Sequence, residues 1–73
     1  MNTTTHDAMA GTVKWWRDGR GYIVADDGYR EISAHASQLV DQGHELSKGE
    51  RVNFIESVGR DGRSYCRRIE VIR

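Results

Sequence analysis

Apolar and polar residues alternate with a period of two along most of this chain, in short runs separated by glycine and acidic residues. The runs are GTVKWWR, GYIVA, REISAHA, ERVNFIES and SYCRRIEVI, and their alternation predicts five β-strands. DDG at 26–28 and GRDG at 59–62 are read as hairpin connections, because glycine and aspartate accept turn dihedrals that other residues resist. Successive side chains on a strand point to opposite faces. Alternation therefore sets Ile32 and Ala34 against Ser33 and His35, and Val52 and Phe54 against Asn53 and Ile55. In the last run it sets Tyr65, Ile69 and Val71 against Cys66, Arg68 and Glu70, with Cys66 expected to be half-buried.

The segment SQLVDQGHELSKGE joins the third run to the fourth. Ser37 is expected to cap one helical turn there, and Leu39, Val40 and Leu46 to plug the open end of a barrel. Residues 1–9, MNTTTHDAM, show no periodicity and are expected to form a flexible tail before a domain at 10–73. Five short antiparallel strands with a longer connection after the third predict an all-β fold, a five-stranded OB-type Greek-key barrel. A small SH3-like barrel is the structural competitor.

Composition limits what such a barrel can be. With 73 residues the chain supports one domain, and its core must be shallow. An apolar fraction of 37%, a mean hydropathy of −0.72 and no apolar run near the ~18 residues of a membrane span argue against a membrane protein. The opening residues lack a secretory or transit pattern, so a cytoplasmic location is expected, and a single cysteine, Cys66, fits a reducing compartment. Eleven basic and eleven acidic residues cancel, so no bulk field advertises a polyanionic partner. Yet nine of the eleven basic residues are arginine, the type that stacks on flat rings and forks onto phosphates.

Chemistry concentrates in KWWRDGRGYIVADDG, residues 14–28, which holds much of the aromatic and glycine content of the chain. GTVKWW, then GRGYIVADDG, then EISAHAS occur in an order and spacing that resemble the bacterial cold-shock domain. The resemblance continues more loosely through KGERVNF to the last strand. It implies an OB-type barrel that binds single-stranded RNA or DNA by stacking bases on aromatic side chains. Two ribonucleoprotein-like motifs then correspond to Gly19–Val24 and Ile32–Ala36. Carried over by position, the stacking surface would use Trp15, Tyr22 and His35, with Lys14 beside them. Arg20, Ser33 and Ala36 stand where the family typically has phenylalanine, and the loop between Trp16 and Gly19 is about two residues shorter than usual.

A base stacked on an aromatic side chain is worth roughly 1–3 kcal/mol. Three remaining platforms would give about 3–6 kcal/mol before ordering costs, against about 8 kcal/mol for micromolar binding. A weaker, more electrostatic binder is the expectation. Arg20 is a candidate to stack on a base and reach a phosphate, Trp16 and Tyr29 are further stacking groups, and Arg17 and Arg30 are candidates to neutralise the backbone. Strict alternation places Trp15 with Val13 inside the barrel, whereas the resemblance places it outside, as a bulge in the strand would allow.

Catalysis finds no support. Ser33 and His35 are strand neighbours with no third group and no oxyanion donor, so no catalytic residue is assigned. His6, His35, His44 and Cys66 show no zinc-type spacing, and GRGYIV lacks the Lys-Ser ending of a phosphate loop, so neither a metal nor a cofactor is expected. Two readings remain: a monomeric single-strand binder, acting as RNA chaperone or regulator, or a protein-contact module in which Trp16, Tyr22, Tyr29 and arginines anchor a partner.

Overall fold

The computed structural model describes residues 8–72. Five strands occur in the order β1 (Met9–Arg17), β2 (Arg20–Ala25), β3 (Glu31–His35), β4 (Arg51–Val58) and β5 (Ser64–Val71), with one 3₁₀ turn at Ala36–Gln38. They close a barrel in the spatial order β1-β2-β3-β5-β4. Every ladder is antiparallel except the β3–β5 closure, a parallel pairing at Ser33 and Tyr65. β1 opens at Met9, opposite Phe54, one residue ahead of the expected boundary. The rest of the expected tail, apart from Ala8, lies outside the described residues.

Inward residues from every strand meet in one core. Val13, Ile23, Ile32, Val52, Phe54, Cys66 and Ile69 are all sealed from solvent, with Leu39 and Leu46 closing one end. Each such aliphatic or aromatic side chain contributes about 1.5–3 kcal/mol by leaving water, which is what a domain this small has to hold it together. The second and third strands alternate as expected, with Ile32 and Ala34 inside and Ser33 and His35 outside.

Two bulges break the alternation in β1 and β5. In β1, Val13 faces Ile23 while Trp15 faces Tyr22, so Lys14 is an extra residue with no partner of its own in β2. The inward positions become Val13 and Trp16, three apart rather than two, and Trp15 turns outward. In β5, Asn53 and Ile55 of β4 pair with Glu70 and Arg67, leaving one extra residue near Arg68, whose φ is +53°. The inward pair there is Cys66 and Ile69, again three apart. This corrects the face assignment of the last strand: Cys66 is fully buried and Tyr65 is only half-buried. Burial in apolar surroundings, with the Glu56 charge nearby, pushes the Cys66 thiol up to about 12, so it stays protonated.

The connections differ from expectation in detail. Asp18 and Gly19, with φ of +53° and +78°, make the two-residue β1–β2 turn; two positive φ values are what a type I′ hairpin requires. His35, rather than Ser37, caps the 3₁₀ turn, its Nδ1 accepting the Ser37 N–H at 3.1 Å. Leu39 and Leu46 plug the barrel, but Val40 is 47% exposed. The long connection returns to β1 at the bulge, where Val13 N–H donates to Glu50 O at 2.9 Å and Gly49 N–H donates to Val13 O at 2.8 Å.

Gly21 is what lets β1 bulge. A Cβ at this position would lie 2.0 Å from the Trp15 carbonyl oxygen, a backbone atom that cannot swing aside. Gly21→Ala is therefore expected to lower unfolding free energy by about 3 kcal/mol or more, measured by urea denaturation. Gly62, with φ of +81° and no atom within 4 Å of the added carbon, is the control. Gly62→Ala is expected to cost only the backbone strain, about 1–2 kcal/mol.

Candidate nucleic-acid interface

Cross-strand pairing arranges the outer face of β1, β2 and β3 in three rows. Thr12, Val24 and Glu31 form the first; Trp15, Tyr22 and Ser33 the second; Arg17, Arg20 and His35 the third. The second row continues through Ser33 to Tyr65 on β5. Rows two residues apart along a strand lie about 6.6–6.8 Å from one another. Aromatic groups thus cross the middle of the sheet, with arginines and a histidine flanking them on one side.

Trp15 and Tyr22 are 40% and 38% exposed, large fractions for flat apolar rings on a sheet. They meet edge to face, with centroids 5.5 Å apart and planes at 72°. Such a pair is worth about 0.5–1.5 kcal/mol beyond its buried area and holds both rings in place before any ligand arrives. Trp16 is turned the other way. It packs partly against the core, beside Ala36, and takes no place in the aromatic row.

The charged candidates separate by whether their charge is already matched. Lys14 is ion-paired to Glu31 across β2. Arg30 forks onto Glu56 of β4 with two hydrogen bonds of 2.7 and 2.8 Å, so its donor pair is occupied. Arg17 and Arg20 are exposed, and neither has an ion-pair partner among the described residues. His35 is exposed in the same row, with Nδ1 committed to the Ser37 cap. Tyr29 sits at the β2–β3 hairpin tip with φ of +56° and is 80% exposed, beyond the Thr12–Val24–Glu31 row.

Two shallow grooves adjoin the aromatic row and share Tyr22 and Ser33 as walls. One runs from Trp15 past Arg20 to Ser33. The other, about 460 Å³, runs from Tyr22 over Ser33 to Tyr65, with Glu31, Asp61 and Arg63 on its rim. Tyr65 and Arg63 line this groove and are candidates that sequence reasoning missed. Period-two counting back from Ile69 put Tyr65 inside. The three-residue gap from Cys66 to Ile69, two types that favour burial, was the available sign of a bulge.

A barrel of this order, carrying exposed rings across β1 and β2, is the architecture of a nucleic-acid-binding OB-type domain. The family model described as 'Cold-shock' DNA-binding domain matches residues 9–67, and the chain belongs to the cold-shock domain family, a family of nucleic-acid-binding domains and not of enzymes. Glycine-rich protein 2 of Nicotiana sylvestris is 42% identical over 57 residues, which cover 74% of this chain and 27% of that protein. Cold shock protein ScoF of Streptomyces coelicolor is 39% identical over 56 residues, covering 73% of this chain and 84% of that one. The chain thus spans about a quarter of the plant relative and most of the bacterial one. The solved structure of Drosophila Unr CSD456 superposes with a TM-score of 0.80 over 93% of this chain and 28% of its own, at 18% identity, a likeness of fold. Among the described residues no helix is long and apolar enough to cross a membrane.

The Arg30 fork, reinforced by a hydrogen bond from Ser64, holds the Glu56 carboxyl down at about 2, against an ordinary value of 4.5. Because the folded value is the lower one, the unfolded chain takes up this proton first. The pair's stabilisation is complete above about pH 4.5 and is lost as pH falls through about 2. With Arg30 half exposed, solvent screening reduces the contribution to about 0.2–1 kcal/mol. Urea denaturation between pH 6 and 2 is expected to show that loss in the native protein, and Glu56→Gln to make the fall shallower by that amount, the remainder including the Asp26–Arg51 pair.

Proposed function

We propose that this domain binds short single strands of RNA or DNA on the outer face of β1, β2 and β3, with the bases stacked on Trp15 and Tyr22 and the backbone following Arg17 and Arg20. The observation that carries this reading is the edge-to-face pair of exposed rings at 40% and 38% exposure, held at the centre of a sheet face by the bulge in β1. Two adjacent strands offering rings side by side suit successive unpaired bases, since every base has a π-face. Family membership supports the same ligand class.

Binding is weaker and more electrostatic than a face fully paved with aromatic rings would give. Arg20 and Ser33 occupy outward positions of the face without adding a ring, and Ala36 lies beside Trp16 against the core. Tyr65, at the far end of the aromatic row, offers one further ring worth roughly 1–3 kcal/mol if a base reaches it. By holding the unpaired state, such a protein would act as an RNA chaperone or regulator in the cytoplasm, as a monomer. Lys14 and Arg30 contribute to nucleic acid only by leaving their carboxylate partners, so the arginine row bears most of the phosphate contact.

Tryptophan fluorescence titrated with a short oligonucleotide at two salt concentrations tests this. Quenching is expected, with Tyr22→Ala lowering affinity roughly 5- to 100-fold; Trp15→Ala, which removes the signal, should show the same loss by anisotropy of a labelled strand. Trp16→Phe should keep the quenching, because the indole at 15 is the reporter. Two phosphate contacts predict a slope of log K on log salt of about −1.4, falling by about 0.7 in Arg20→Ala. No response in the native protein would remove the nucleic-acid reading and favour a protein partner on this face.

A further inference from the structure

We infer that the groove between Tyr22 and Tyr65 is a base-selective slot and that the base it selects is guanine; the inference rests on the single-strand reading above and deepens it. Ser33 is the register partner of both tyrosines, Tyr22 on one side and Tyr65 on the other. Two strand spacings separate the tyrosine backbones, roughly 9.5 Å. A ring at position 33 would fill that interval and extend a flat platform. A serine leaves an open groove of about 460 Å³, walled by two phenol rings and floored by a hydroxyl. A planar base enters such a groove edge first, so its hydrogen-bonding edge is read as well as its face.

The rim decides which edge is accepted. It carries two carboxylates, Glu31 and Asp61, and one guanidinium, Arg63. Glu31 is held by Lys14, which leaves Asp61 as the less committed carboxylate. Asp61 Oδ1 accepts the Arg63 backbone N–H at 3.0 Å, which fixes the hairpin and leaves Oδ2 and the second lone pair of Oδ1 for a ligand's two donors. Arg63 is exposed and has no ion-pair partner among the described residues.

The Watson–Crick edge of guanine presents two donors, N1–H and N2–H, beside one acceptor, O6. A carboxylate takes the donors and a guanidinium takes the acceptor. Uracil and thymine present two carbonyls flanking a single N–H, so a carboxylate would meet repulsion on both sides. Adenine and cytosine each place an acceptor next to their amino group and fit a carboxylate at one point only. The donor and acceptor pattern of the rim therefore favours guanine over the other bases, and disfavours thymine and uracil most.

Fluorescence titration with four DNA heptamers tests the slot: oligothymidylate, and the same strand with one guanine, adenine or cytosine at its centre. The guanine strand is expected to bind the native protein roughly tenfold more tightly than oligothymidylate, the size of one good edge contact. Asp61→Asn keeps an oxygen for the Arg63 N–H while removing the charge, and should bring that ratio near one. Ser33→Phe, which fills the slot, should do the same. Equal affinities for all four strands, or a guanine advantage that survives Asp61→Asn, would overturn the inference and leave the aromatic platform standing. Absence of quenching by every strand would overturn the binding reading and the slot together.

Discussion

One residue too many lies between Val13 and Trp15 for β1 to match β2, and the way the sheet absorbs it decides which tryptophan meets the solvent. An evenly paired strand would bury Trp15 and expose Trp16. The bulge reverses them, and it is tolerated because Gly21 has no Cβ to collide with the Trp15 carbonyl oxygen. On its other edge, Val13 bonds the 49–50 loop just beyond the pairing of β1 with β4, so the long connection is anchored at the point where the strand bends. The exposure of Trp15 and the core position of Trp16 thus share one steric cause.

Charge is arranged around this frame in two populations. Three pairs tie the barrel across elements distant in sequence: Lys14 with Glu31, Arg30 with Glu56, and Arg51 with Asp26, the last also reaching the Thr12 hydroxyl at 2.9 Å. Arg17, Arg20 and Arg63 lack ion-pair partners among the described residues, and all three border the aromatic row or its grooves. Zero net charge is therefore compatible with a locally basic face. Asp26, Glu31 and Glu56 are each drawn into a pair with a cation, while Arg17, Arg20 and Arg63, unmatched among the described residues, keep their charge beside the aromatic row.

The aromatic row is interrupted rather than lost. Trp15 and Tyr22 are adjacent across β1 and β2, Ser33 opens a gap on β3, and Tyr65 resumes the row from β5. A platform of contiguous rings is tolerant of sequence, because stacking senses only the face of a base. A gap with hydroxyl, carboxylate and guanidinium groups around it presents edges to edges, and hydrogen bonding senses identity. On the slot proposed above, exchanging a ring for a serine in this place would shift the balance from affinity toward selectivity.

Strand number, the positions of the main turns and the inward residues of β2, β3 and β4 were legible in the chain, because period-two alternation and glycine-bearing turns are local properties that neighbours in sequence impose. The candidate surface was legible as far as Trp15, Tyr22, Ser33 and His35, which share one face once β2 and β3 are paired. What alternation mistook lay at the two bulges, where inward residues fall three apart at Val13 and Trp16 and at Cys66 and Ile69. A bulge is set by how a strand fits its partner, and the partner is far away in sequence. Only tertiary structure brought Tyr65 beside Ser33 through the parallel β3–β5 closure, withdrew Arg30 to Glu56 and Lys14 to Glu31, and left Arg20 unmatched. Those outcomes depend on which groups the closed barrel places within hydrogen-bonding distance, and no spacing along one strand encodes that.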